Sequence, residues 1–157
     1  MRLVTLAAIA SCLAAATAIT ATTASAKDPS AQQIARERHR DMEKVGRAFK
    51  EINRQMKRPA PSISVIREQS GFIADYMARM DKQYPTGSGQ QDGVKTDALA
   101  TIWARPADFK LAVKRAKDTS KELEAAALRS DIGRVRAAIG PVGGSCKGCH
   151  DNFRNND

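Results

Sequence analysis

Residues 146–154, CKGCHDNFR, carry the groups in this chain that are best suited to chemistry. Cys146 and Cys149 stand one helical turn apart, and His150 follows the second cysteine directly. Three kinds of site use such a spacing: a redox dithiol, half of a zinc site, and the attachment point of a c-type haem. Which of the three applies depends on the groups that the rest of the sequence supplies.

The first 26 residues have the features of a secretory signal peptide. Arg2 provides the positive start, a long apolar stretch follows, and an A-x-A cleavage site ends at Ala26. We expect residues 27–157 to be exported to the periplasm as a single domain. The segment IASC, which ends at Cys12, loosely fits a lipoprotein cleavage box, but cleavage there would leave too short an apolar core. Cys12 is therefore expected to leave with the signal peptide.

Apolar residues recur at intervals of three and four in four segments, which is the spacing of amphipathic helices. Pro59 and Pro61 separate the first two helices, and Pro85 ends the second. A polar, glycine-rich loop follows, and Pro106 begins the third helix. The pattern predicts an all-α fold, an antiparallel four-helix bundle. The predicted apolar seams are Ile34, Arg38, Met42, Val45, Phe49, Ile52 and Met56; Ile63, Ile66, Ser70, Ile73, Met77, Met80 and Tyr84; Phe109, Val113, Ala116, Ser120, Leu123 and Ala127; and Ile132, Val135, Ile139, Val142, Cys146, Cys149 and Phe153.

The fourth seam includes both cysteines, so their sulfurs are expected inside the bundle. A redox dithiol needs a helix start after a strand to lower its pKa, and no strand is predicted. A zinc site needs about four ligands, whereas the mature chain has two cysteines and two histidines. A c-type haem needs only two thiols and the adjacent His150. The sequence thus predicts one covalent haem c on Cys146 and Cys149, with His150 as its iron ligand.

This haem motif, CKGCHDNFR, closes a four-helix pattern, and the segments RHRDMEKVGRAF, QYPTGSG and DALATIWARPADF accompany it. Together they resemble the cytochrome c′ superfamily over essentially all of the mature chain. The segment MEKVGR, residues 42–47, is most similar to the cytochrome c-556 branch, in which a methionine of helix 1 is the second axial ligand. The resemblance implies His150 and Met42 as the iron ligands of a low-spin electron carrier. Packing alone also explains a methionine on an apolar seam, and the alternative is a five-coordinate cytochrome c′ that binds nitric oxide or carbon monoxide.

Three further residues are candidates for contact with the haem. Arg38 is a charge on an apolar seam, where it either pairs with the haem propionates or extends to water at the helix end. In the family that the chain resembles, the equivalent of Trp103 packs near the haem, although an anchor for the long loop also fits the sequence. Arg154 follows His150 by four residues. The resemblance implies that it borders the proximal side of the haem, whereas a solvated end residue is the alternative.

The composition limits the partners of the mature chain. Its 25 basic and 17 acidic residues give a net charge of +8, yet they are spread over every segment, which does not favour a nucleic-acid binder. No second apolar run approaches the ~20 residues of a membrane span. We expect an acidic redox partner that Lys147 and Arg154 steer to the haem edge, and a homodimer through the first two helices is possible. Because no nucleophile is paired with a base, we do not expect an enzyme.

Overall fold

The computed structural model describes residues 30–155, so the predicted signal peptide lies outside the described residues. Four long helices and one short helix make up the described chain. They are α1 (Ala31–Met56), α2 (Ile63–Ala78), α3 (Thr101–Ala104), α4 (Pro106–Leu128) and α5 (Ile132–Phe153). Within residues 30–155 no strand forms, and the all-α prediction is confirmed.

The start of α1 and its link to α2 have local causes. The Ser30 hydroxyl accepts a hydrogen bond from the backbone N–H of Gln33 (3.2 Å), which satisfies a donor that the first turn leaves free. After α1 ends at Met56, the side-chain carbonyl of Gln55 accepts from the backbone N–H of Ser62 (3.0 Å), the residue before α2. Gln55 thereby fixes the short connection between the first two helices.

The second helix is shorter than its apolar pattern indicates. Its α-helical part ends at Ala78, and the seam continues through a 3-10 turn, Met80–Gln83. A 3-10 turn still presents Met80 to the interior, where it is buried. The following loop is also more structured than predicted, because it contains a second 3-10 turn, Gln90–Asp92, and α3.

A proline and a capping aspartate mark the starts of the last two long helices. Pro106 is the first residue of α4, and the Asp131 carboxylate caps α5 by accepting from the backbone N–H of Arg134 (2.9 Å). Pro141 and the neighbouring glycines are residues that commonly kink or loosen a helix. The structure keeps α5 unbroken from Ile132 to Phe153, because its apolar face packs against α4 along this length.

The helices pack in sequence order: α1 on α2, α2 on α4, and α4 on α5. Helices α1 and α5 meet near one end of the bundle, where the Arg136 guanidinium donates to the carbonyl of Met56 (3.4 Å). The ring of Phe49 lies against Gly143, 3.6 Å from where a β-carbon would stand. Farther along, the space between α1 and α5 widens into a cavity. The part of the chain from 30 to 155 contains no helix long and apolar enough to cross a bilayer.

Leucine truncation on α4 tests the assignment of the core. Leu123 is 0% exposed, whereas Leu111 on the same helix is 49% exposed. Leu123→Ala should lower the free energy of unfolding by about 2–5 kcal/mol, because it removes buried methyl groups and leaves a cavity. Leu111→Ala should change it by less than about 0.5 kcal/mol. Urea denaturation followed by circular dichroism measures both, and equal losses in the two variants would contradict the packing.

Candidate functional site

A cavity of about 540 Å³ lies between α1 and α5. This volume is within the roughly 300–1,000 Å³ of typical ligand pockets. Cys146, Cys149 and His150 line one side of the cavity, and Met42 lines it from α1. Apolar side chains form much of the remaining wall, including Val45, Phe49, Met77, Met80, Ile102, Phe109 and Phe153. The cavity therefore offers a planar apolar ligand two thiols and an imidazole on the same wall.

Both cysteines are unpaired thiols at the cavity wall, with Cys149 buried and Cys146 half-buried. Burial raises the pKa of both thiols, that of Cys149 to about 11. A redox dithiol works through a lowered pKa, so this environment is unlike that of a thioredoxin-type site. A protonated pair facing an apolar cavity fits the two thioether bonds of a c-type haem.

His150 supplies an imidazole beside these thiols. Burial lowers the pKa of His150, and the charge of Arg154 lowers it further, while Asp151 opposes the shift. The neutral ring that results at neutral pH is the form that ligates a metal. Within residues 30–155 no cluster of three or more histidine, cysteine, aspartate or glutamate side chains is arranged to hold a metal ion. The donor set fits a haem iron, which needs one or two axial ligands from the protein.

Arg154 lies next to His150, as its spacing predicts. Its guanidinium is 3.5 Å from Nδ1 of the imidazole, and because a guanidinium can only donate, Nδ1 acts as acceptor in this contact. Arg154 also lines the cavity and pairs with Ala98 in an isolated antiparallel bridge. The side chain is exposed, so its place beside the proximal side of a haem stays a prediction.

The end of α5 is tied to the segment that precedes α3. The backbone N–H of Leu99 donates to the carbonyl of Phe153 (3.0 Å), and that of Asn155 donates to the carbonyl of Asp97 (2.7 Å). The Thr101 hydroxyl donates to the carbonyl of Asn152 (2.8 Å). These three bonds fix the last turn of the helix that carries the cysteines and His150.

Met42 faces the cavity from α1. Its side chain is half-buried, lines the cavity and packs against the main apolar cluster. These contacts fit both an iron ligand and a wall residue, and ligation by Met42 therefore stays a prediction. His39 is exposed at the rim of the cavity, beside Glu43 (3.7 Å) and Asp97 (3.5 Å).

Arg38 is 3% exposed, so the alternative that it extends to water is wrong. Nη1 of its guanidinium donates to the carbonyl of Gln83 (3.1 Å) and to the hydroxyl of Ser88 (3.2 Å). Nη2 donates to the carbonyl of Ser88 (3.1 Å) and to the hydroxyl of Thr96 (2.8 Å). The guanidinium also lies over the ring of Tyr84, 4.5 Å from its centroid. Arg38 thus holds the loop that follows α2 against α1.

The buried charge of Arg38 is compensated by neutral groups alone. Within residues 30–155 no carboxylate lies within ion-pair distance of its guanidinium, and burial lowers its pKa. Burial likewise raises the pKa of Tyr84, which lies beneath it and also lines the cavity. A propionate arriving in the cavity would supply the anion that this charge lacks. Pairing of Arg38 with haem propionates stays a prediction.

Trp103 is placed as the anchor of the long loop. Its indole N–H donates to the carbonyl of Pro85 (3.2 Å), and its ring packs against the main apolar cluster. It lines a second, smaller cavity and is not among the residues that line the first. The predicted contact of Trp103 with the haem remains untested.

Several residues of the site were not predicted. Ser88 and Thr96 lie in a polar loop whose sequence gives no sign that they bind a buried arginine. Tyr84 stood in the predicted seam of the second helix, but nothing in the sequence indicated its stacking on Arg38. Phe109, Met77 and Met80 were predicted as core, and the cavity shows that they also form its wall.

Comparisons with known proteins give matches to one family. A family model described as Cytochrome C′ matches residues 33–154. A cytochrome c′ of Rubrivivax gelatinosus is 38% identical over 68 residues, which are 43% of this chain and 53% of that protein. A cytochrome c′ of Rhodopseudomonas palustris is 32% identical over 119 residues, 72% of this chain and 75% of that protein. The first of these relatives is thus matched over about half of its length.

The fold is also shared with solved structures. A nitric oxide complex of a mutant cytochrome c prime from Alcaligenes xylosoxidans superposes with a TM-score of 0.72 at 26% identity. The match covers 81% of this chain and 97% of that one. These relatives point to cytochrome c′ proper, whereas the sequence analysis favoured the c-556 branch.

Removal of the Arg38 guanidinium tests its role in holding the loop. Arg38→Ala should lower the free energy of unfolding by about 2–3 kcal/mol, because the hydrogen bonds of a charged group are lost. The removal of a buried charge offsets part of this loss. Backbone amides of residues 83–96 should exchange with deuterium faster, as measured by mass spectrometry. Arg40→Ala removes an exposed charge from the same helix and should leave the exchange of the loop unchanged. Equal exchange in both variants would show that Arg38 does not hold the loop.

Proposed function

Because the chain belongs to the cytochrome c′ family, we propose that it is an exported haem c protein that binds a small gas such as nitric oxide or carbon monoxide. The observation that carries the proposal is the cavity between α1 and α5, where Cys146, Cys149 and His150 share one wall. The family membership and the nitric oxide complex of one structural relative support it further.

Each role in this proposal falls to a residue of the cavity. Cys146 and Cys149 would hold one haem through two thioether bonds, and His150 would bind its iron. When bound, the haem supplies an iron centre that changes by one electron and accepts a gas ligand. The apolar wall excludes water from that centre, and Arg38 offers a positive charge to the propionates.

The proposal adopts the alternative of the sequence analysis, the five-coordinate cytochrome, in place of the His/Met electron carrier. Its support is that the named relatives are cytochromes c′. Met42 is then a wall residue of the gas site, which agrees with its packing against the apolar cluster. If the thioether of Met42 instead bound the iron, the protein would be a low-spin carrier.

Other parts of the proposal rest on the sequence alone. Export to the periplasm follows from the predicted signal peptide, residues 1–26. In this proposal the protein binds a gas and exchanges single electrons. It is not an enzyme, since no nucleophile and base are paired in the sequence. Association of two copies through α1 and α2 is a further part of the proposal that sedimentation would test.

The covalent haem is tested by intact mass spectrometry. Protein matured in a host with haem-c assembly machinery should begin at Lys27 and carry the mass of one haem, which survives denaturation and acidified organic solvent. Replacing Cys146 and Cys149 together by alanine should abolish the added mass. In the visible absorption spectrum, His39→Ala should cause no change, whereas His150→Ala should cause one because the histidine ligand of the iron is lost. A haem that passes into the solvent would contradict the attachment.

Substitution of Met42 separates the gas binder from the carrier. The unmodified ferrous protein should be high-spin, and Met42→Leu, which keeps the volume but removes the sulfur, should leave the spectrum unchanged. Met42→Ala should speed carbon monoxide association by roughly tenfold, or about 1.4 kcal/mol, because it removes a wall of the site. Absorption spectra and flash photolysis measure both effects.

The contrary outcome for Met42 is equally specific. A low-spin ferrous protein that becomes high-spin on Met42→Leu would show that the thioether ligates iron. The gas-binding proposal would then fail, and the His/Met carrier of the sequence analysis would replace it.

A further inference from the structure

A second cavity of about 430 Å³ lies on the other side of the haem cavity wall. It is bounded by the first half of α4, by Trp103 and by the residues that follow α2. Lys110, Lys114 and Lys117 line it from α4, and one carboxylate, Asp81, faces them. We call this feature, defined by the three lysines, Asp81 and Trp103, the lysine cleft.

The lysine cleft carries an excess of positive charge. The ammonium of Lys117 pairs with Asp81 (3.0 Å), and that of Lys114 pairs with Asp118 (2.5 Å). Lys110 is exposed and has no carboxylate within ion-pair distance among the described residues. Their spacing of four and three residues places the three lysines on one face of α4. With Asp81 and Asp118 both counted, the three lysines leave one net positive charge, that of Lys110, which favours the approach of an acidic surface.

A single layer of side chains separates the lysine cleft from the haem cavity. Tyr84, Ile102 and Phe109 line both cavities. The ring centroids of Tyr84 and Phe109 are 4.9 Å apart, and those of Tyr84 and Trp103 are 6.5 Å apart. A partner seated on the cleft would therefore be divided from the haem cavity only by packed, largely aromatic side chains.

The surface that the sequence analysis assigned to docking, at the end of α5, carries a similar local charge. The ammonium of Lys147 pairs with Asp151 at 2.5 Å on the same helix. Arg154 donates to the carbonyl of Asn155 and contacts His150. Lys147 therefore has a carboxylate partner, as Lys114 does. Among the described residues of these two surfaces, the exposed cations without a carboxylate partner are Arg154 at the end of α5 and Lys110 beside Trp103. The lysine cleft is therefore a second candidate surface, and it differs from the end of α5 because it is a cavity lined by Trp103.

We propose that the lysine cleft is the docking site for an acidic electron-transfer protein that reduces the haem. One electron leaves the reduced cofactor of the partner and converts ferric to ferrous iron, and no bond or proton is transferred. The proposal rests on the proposed function because it requires the haem. It adds the place of docking and the chemistry of the partner, and it assigns the Tyr84, Ile102 and Phe109 layer as the barrier that the electron crosses.

A matched pair of double variants tests the docking site. Lys110→Gln with Lys114→Gln removes two charges from the cleft, and Lys44→Gln with Lys147→Gln removes two exposed charges from α1 and α5. The probe is flavodoxin hydroquinone, an acidic one-electron donor. Stopped-flow absorption would give the second-order rate of haem reduction at ~0.01 M and ~1 M salt, where the screening length falls from about 30 Å to about 3 Å.

At low salt the cleft variant should be reduced roughly tenfold more slowly than the unmodified protein. The rate of the control variant should fall by less than about twofold. All rates should converge at high salt. Carbodiimide cross-linking to oxidised flavodoxin, read by mass spectrometry, should join partner carboxylates to Lys110 or Lys114. Equal slowing of both variants, or cross-links confined to Lys147, would overturn the docking site.

The two proposals fail in different ways. Every lysine variant should retain the covalent haem and the carbon monoxide spectrum of the unmodified protein, because no lysine of the set lines the haem cavity. Loss of haem or of gas binding in the unmodified protein would refute the proposed function. Normal gas binding together with equal electron-transfer rates in both variants would refute the docking site alone.

Discussion

Helices α1 and α5 come together near one end of the bundle and separate toward the other, and the site depends on this separation. Close packing of α4 on α5 is aided by small buried residues, among them Ala126, Ala127 and Ala138. Helix α1 instead reaches α5 through Phe49 and the carbonyl of Met56. The space left between them is lined by apolar side chains and by the two thiols. A fully closed bundle would bury the same seams but would leave no room for a planar cofactor.

Arg38 shows how a buried charge is used in this fold. An ion taken out of water costs several kcal/mol even after relaxation. Four hydrogen bonds and the ring face of Tyr84 offset part of that cost, and the acceptors all belong to the connection between α2 and α3. The loop conformation and the burial of the charge are therefore interdependent. This network also leaves a net positive charge next to the cavity, which favours an anionic group of a bound ligand.

The helices, their seams and the inward placement of Cys146 and Cys149 were predictable, because periodic burial and a fixed motif spacing are local properties of the sequence. The shortening of α2 was not, since a 3-10 turn presents Met80 and Tyr84 much as an α-helix would. The contacts of Arg38 with Ser88 and Thr96 join residues about 50 positions apart, and no periodicity reports such a pairing. The position of Trp103 depends on the path of the loop, which the sequence leaves open. The assignment of the chain to a branch of the family rested on a short segment around Met42. So short a segment does not decide whether Met42 binds iron.

The sequence-order packing of the helices also has a consequence for folding. Each helix packs on a neighbour along the chain, an arrangement of low contact order that favours rapid folding from local pairs. The cavity, in contrast, is walled by the first and last helices, so it is complete only after every pair has formed. Local opening would separate α1 from α2 more easily than α5 from α4, because the contact between α4 and α5 is the more extensive of the two. The cofactor wall on α5 would thus persist while the opposite wall fluctuates, which makes α1 the natural moving part for entry to the cavity.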